Sequence, residues 1–143
     1  HFADPDVAGH SFGVHSPEKM KALANCDAAL KTIYDAIATA GLADSSVLIL
    51  TADHGGHDVP LSKEEIEKRI AQGESTKVGT HGSAETSDVV IPWIASGPTV
   101  KKNFDISAPV KTYDTAATAL WLLNVPIPED FWGRPVTTAF DAP

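Results

Sequence analysis

Val47-Leu48-Ile49-Leu50-Thr51-Ala52-Asp53-His54-Gly55-Gly56 is the stretch that decides the fold class. Its first four residues form a continuous apolar run, too short for a helix and of the kind shown by a strand covered on both faces, as in a parallel sheet with helices on either side. The run delivers Asp53 and His54 at its C-terminal end, followed by two glycines. Reactive loops in α/β folds lie at the C-terminal ends of strands, so chemistry is expected here. Consecutive strand residues face opposite sides, so Asp53 and His54 serve one site only if the chain turns at once, which Gly55-Gly56 permits.

Working outward from this strand, the upstream side reads as a loop over 3–15 and then a helix. Ser16-Pro17-Glu18 supplies an N-cap, a first-turn proline and an early acid. Met20, Leu23, Ala24, Leu30, Ile33, Tyr34 and Ile37 follow at three- and four-residue steps, and Gly41 ends the helix. Its stripe predicts one packed face, with Cys26 as a small core residue on it. Downstream, Ser62-Lys63-Glu64-Glu65 has capping-box form and opens a charged, solvent-facing helix that stops near Gly73. Val89 to Ala95 reads as a second strand, with Pro92 placing part of it at an edge or bulge, and Gly97-Pro98 turns the chain. A third short strand is expected around Ile106, then a buried helix from Asp114 through Leu123, closed by Asn124 and Pro126. Strands alternating with helices give an α/β fold with a mostly parallel sheet flanked by helices.

Composition narrows the function. A chain of 143 residues with 43% hydrophobic and 21% charged residues is sized and balanced for one soluble globular domain. A net charge of -8 offers no basic face to a phosphate backbone, which disfavours nucleic acid and points to a small partner. No apolar run reaches the length of a membrane span. One cysteine excludes an internal disulfide. The chain opens on His1-Phe2-Ala3, without Met or a signal-type apolar run, and so reads as cut from a longer protein: a single-domain fragment over 1–143.

Three segments hold nearly all the candidate metal ligands: Asp6-Val7-Ala8-Gly9-His10, Asp53-His54-Gly55 and Thr80-His81-Gly82. Carboxylate oxygen and imidazole nitrogen together suit zinc and related divalent ions, when brought together from distant segments. Taken singly, an Asp-His pair after a strand is more often a hydrogen-bonded turn than a metal site. Gly9 and Gly82 let their loops close around an ion or an oxyanion.

In this order the three segments are similar to the ligand pattern of the alkaline phosphatase superfamily. Pro5-Asp6-Val7-Ala8-Gly9-His10, Thr51-Ala52-Asp53-His54-Gly55 and His81-Gly82 resemble the motifs of its type I phosphodiesterase/nucleotide pyrophosphatase branch. The tail, from Tyr113-Asp114-Thr115 through Val125-Pro126 to Gly133-Arg134-Pro135, is similar to the end of that catalytic domain. The resemblance implies the C-terminal portion of an alkaline-phosphatase-like domain, acting as a two-metal phosphoester hydrolase on a small phosphoester. It assigns Asp6, His10 and His81 to one ion and Asp53 with His54 to a second, both zinc, and puts the Ser or Thr nucleophile upstream of His1. The piece alone is then expected to be inactive. The resemblance favours a periplasmic or extracellular location without fixing one, and strands missing upstream are expected to leave a sheet edge open to self-association.

Rival readings are a sulfatase or phosphomonoesterase of the same superfamily, or a non-catalytic, self-associating metal-binding fragment. Cys26, inside a helix, does not suit a sulfatase nucleophile. His1 and His15 are not first-choice ligands, and neither is His57, which reads as a solvated turn histidine, with a role beside the metal ligands or facing the substrate, together with Asp58, as the alternative. Trp93, Trp121, Phe131 and Trp132 read as core or domain-contact residues rather than a stacking platform, and Arg134 as structural.

Overall fold

The helix that carries the first motif begins at Pro5 and its flanking acids, Asp4 and Asp6, because a proline in the first turn loses no hydrogen bond and carboxylates favour the positive helix end. In the computed structural model, which describes residues 1–141, this helix is α1, Asp4–Phe12. The expected loop is therefore a helix. Gly9, read as a loop former, lies buried inside it and costs only about 1 kcal/mol of helix propensity.

Two compact units make up the chain: residues 1–36 with 54–91, and residues 37–53 with those from Pro92 onward. Within the first unit, α2 (Pro17–Thr39, its last turn counted with the second unit) is capped by Ser16, whose Oγ accepts the Lys19 N–H at 3.1 Å. Its apolar stripe is not covered among the described residues: Ala22 alone is buried, Met20 and Leu23 are exposed, and Cys26 is half-buried. Strand β2 (His57–Asp58) pairs antiparallel with β3 (Gly79–Thr80), His57 opposite Thr80. Between them lies α3, Lys63–Ala71, with the expected capping box of Ser62 and Glu65 and no buried residue. One further turn, α4 (Thr86–Val89), follows β3.

The second unit holds β1 (Leu48–Thr51) and β4 (Trp93–Ser96), paired antiparallel with Leu48 opposite Ser96 and Thr51 opposite Trp93. No parallel pair occurs among the described residues, and β1 is half-buried rather than sealed on both faces. The architecture is thus α/β in the sense of helices mixed with small antiparallel sheets. The strand expected over Val89 to Ala95 is shorter: Val89 ends a helical turn, and pairing starts only past Pro92, which has no N–H to donate. Ile106 joins no ladder; it packs instead on the core of Val136, Ala139 and Phe140, together with Trp93, Trp121 and Val100. Helix α5, Asp114–Leu122, buries Thr118, whose hydroxyl donates to the Asp114 carbonyl at 2.7 Å and accepts the Val136 N–H at 3.0 Å.

The tail closes on the same helix. The Asp114 carboxylate accepts backbone N–H groups of Lys111 and Arg134, and the Arg134 guanidinium donates to the carbonyls of Phe131 and Gly133, the structural part expected of it. Trp93 donates its indole N–H to Thr115 at 3.0 Å and Trp121 packs on Phe140, both as core residues. Trp132, 84% exposed, has no such part.

Candidate metal centre

Helical spacing explains the first motif. Asp6 and His10 are four residues apart in α1, on one face and one turn from each other, and His10 Nε2 stands 3.4 Å from Asp6 Oδ1. His81, directly after β3, puts its Nε2 3.8 Å from the same oxygen, and His54 brings its own to 3.9 Å. The rings of His54 and His81 are stacked with centroids 3.5 Å apart. One atom each from Asp6, His10 and His81 lie within 4.8 Å of one another.

Tautomers follow from the outer partners. His10 Nδ1 lies 3.0 Å from the Gly79 carbonyl, and His54 Nδ1 2.8 Å from that of Gly55. A carbonyl only accepts, so both rings donate at Nδ1 and keep the Nε2 lone pair on the Asp6 side, the arrangement a metal-ligating histidine needs. Ligands about 2.1 Å from one ion at tetrahedral angles stand about 3.4 Å apart, so this oxygen-and-nitrogen set fits zinc with small movements of exposed side chains. Asp53, exposed, is not one of the three residues so grouped.

A buried acid that sequence reading missed holds the scaffold. Asp88 accepts from His57 Nδ1 at 2.8 Å and from the Ser83 backbone N–H at 2.8 Å, while its carbonyl and that of Ser87 accept the Gly55 and Gly56 N–H groups. Segment 54–57, which carries His54, is thereby tied to segment 83–88, two residues beyond His81. His57 is thus no solvated turn residue: its ring bonds to Asp88, and the Asp58 carboxylate accepts the Val14 N–H. The bond to His57 holds Asp88 down at about 2, and the same bond raises His57 above the ordinary histidine value. An Asp ahead of a Val-Val-Ile run gives no sequence signal of a strut. Gly55 is needed for closeness: a Cβ there would lie 1.9 Å from the Ser87 carbonyl oxygen. Gly82 is needed for conformation, with φ at +98°, and nothing crowds it.

Residues 1–118 match the family described as type I phosphodiesterase / nucleotide pyrophosphatase. The chain belongs to this family. As a member of the type I phosphodiesterases it falls within the alkaline phosphatase superfamily, and its relatives span several chemistries. It is 36% identical over 55 residues to ectonucleotide pyrophosphatase/phosphodiesterase family member 7 of Homo sapiens, covering 38% of this chain and 12% of that protein. It is 38% identical over 55 residues to alkaline phosphatase PhoK of a Sphingomonas species, covering 38% and 10%. A longer match, 33% identical over 138 residues, is to the 2,3-bisphosphoglycerate-independent phosphoglycerate mutase of Onchocerca volvulus, covering 94% of this chain and 22% of the mutase. The chain therefore spans less than a quarter of the length of these relatives. No helix among the described residues is long and apolar enough to cross a membrane.

Proposed function

We propose that this chain is the metal-binding part of a phosphoester hydrolase that acts on a small phosphoester. The observation that carries the reading is the convergence of three histidine Nε2 atoms within 3.4 to 3.9 Å of Asp6 Oδ1, two of them fixed in the ligating tautomer. Asp6, His10 and His81 are proposed to hold one divalent ion, zinc by donor type. The family pattern alone assigns Asp53 and His54 to a second. Ions held there supply Lewis-acid polarisation of a phosphoryl oxygen and offset charge as the leaving group departs. Asp6 neutralises part of the ion's charge, the Gly79 and Gly55 carbonyls orient His10 and His54, and the Asp88 strut keeps the two carrying segments in register. The nucleophile is proposed to be a Ser or Thr hydroxyl outside this sequence.

The C-terminal portion of an alkaline-phosphatase-like domain, with a mostly parallel sheet, is part of the same proposal. The outer edges of β1 and β4 have no ladder partner among the described residues, which supports either further strands there or a second copy of the chain. A phosphomonoester substrate is the second reading, favoured by matches to phosphoglycerate mutases over 94% and 93% of this chain.

The test compares the polypeptide 1–143 with the complete protein, each with added zinc, on an aryl phosphodiester and an aryl phosphomonoester. The account expects the complete protein to turn over at least one ester, to lose activity to a chelator, and to lose most of it in His10→Ala. The polypeptide alone binds metal but turns over neither ester. Robust chelator-sensitive turnover by the polypeptide alone contradicts the placing of the nucleophile, Thr80, which lines the cleft, then being the hydroxyl to try.

A further inference from the structure

Lys19 is the cation of the metal-site cleft, and nothing in its own helix accounts for it. It is the third residue of α2, where the Ser16 hydroxyl accepts its backbone N–H. The capping box prefers Glu or Gln at that position, as this chain has in α3 with Glu65, and the positive end of a helix disfavours a cation. The side chain is half-buried and lies over Gly9: a Cβ on Gly9 would stand 3.3 Å from Lys19 Nζ and 3.4 Å from its Cδ. The bare α-carbon of Gly9, one residue before His10, lets it lie there without a shift of a few tenths of an ångström. Lys19 lines the same shallow, solvent-open cleft as Asp6, His10, Thr80 and His81. Among the described residues its ammonium has no hydrogen-bond or ion-pair partner.

We infer that Lys19 binds an anionic oxygen of the substrate that the metal ligands do not serve, and so selects for a dianionic terminal phosphoryl group, as in a phosphomonoester, over a monoanionic diester. This rests on the metal-centre reading above. An ammonium is a compact point charge with three donors, suited to a phosphate oxygen whose direction is not fixed. A monoanionic diester places its single charge at the ligand cluster, whereas a terminal phosphoryl group carries a second charge for Lys19. The residue is a specificity determinant, and no proton transfer is assigned to it.

The test uses the complete protein loaded with zinc, as wild type, Lys19→Gln and Lys19→Arg. Three quantities are measured: zinc stoichiometry, the dissociation constant of inorganic phosphate by calorimetry, and the ratio of kcat/KM for an aryl phosphomonoester to that for a bis-aryl phosphodiester. Losing a charged hydrogen bond corresponds to about ten- to hundredfold in affinity. Lys19→Gln is expected to weaken phosphate by that factor and lower the monoester-to-diester ratio by about as much, with zinc retained, and Lys19→Arg to recover most of both. Equal loss on both esters, unaltered phosphate binding, or loss of zinc in Lys19→Gln overturns the inference and leaves the metal centre standing. A wild type that takes up no zinc overturns the metal centre itself, and this inference with it.

Discussion

Asp88 is 3% exposed and accepts from His57 and from the Ser83 backbone, so the pair is a strut between segments 54–57 and 83–88 rather than a surface contact. Its pH dependence has two limbs. Asp88 is lowered to about 2, so its contribution is present above the ordinary aspartate value and lost as pH falls toward 2. His57 is raised, so its contribution is complete below the ordinary histidine value of about 6.5 and is lost as pH rises through the raised one. The stability gap between wild type and Asp88→Asn, measured by denaturant titration across pH, is therefore expected to be widest between about pH 4 and 6.5. A gap that does not vary with pH contradicts the ionic pairing. Gly55→Ala drives a methyl into the Ser87 carbonyl, and overpacking of that kind costs about 1–3 kcal/mol. Thermal unfolding of the variant should show that loss, and its zinc affinity should fall as well because the His54 segment is displaced.

The elements divide according to whether their signals are local. The start of α2 at Ser16-Pro17, the capping box of α3 and the body of α5 are written in adjacent residues and appear where sequence reading puts them. The α1 helix was hidden because Pro-Asp followed by Gly9 also spells a loop, and the buried packing that tolerates Gly9 is nonlocal. Val89 and Val90 were misassigned to a strand since a short apolar run carries no period of its own; the turn of α4 is set by hydrogen bonds from Asp88 and Val89 to Glu85. The candidate ligands Asp6, His10 and His81 stand out in the sequence by residue type and order, and the structure brings them together, whereas the Asp88 strut depends on a partner 31 positions away. In α5, Thr118→Val leaves the Val136 N–H unpaired in a buried setting, a loss of about 1–3 kcal/mol. Chemical denaturation should show this loss while zinc uptake by the first unit stays at the wild-type level.

At the scale of the molecule, a chain spanning less than a quarter of its relatives brings Asp6, His10 and His81 together within one of its two units. Unpaired edges on β1 and β4 lead to the expectation that the polypeptide 1–143 self-associates when alone, with mass rising with concentration in light scattering; a strictly monomeric polypeptide contradicts association through those edges. The central claim is that Asp6, His10 and His81 form a divalent-metal site. Calorimetric titration of zinc into wild type, His10→Ala, His81→Ala and the control His15→Ala tests it directly. Tight uptake is expected for wild type and His15→Ala, and a loss of about tenfold or more in affinity for each of His10→Ala and His81→Ala. Zinc affinities for His10→Ala and His81→Ala equal to that of wild type would contradict it.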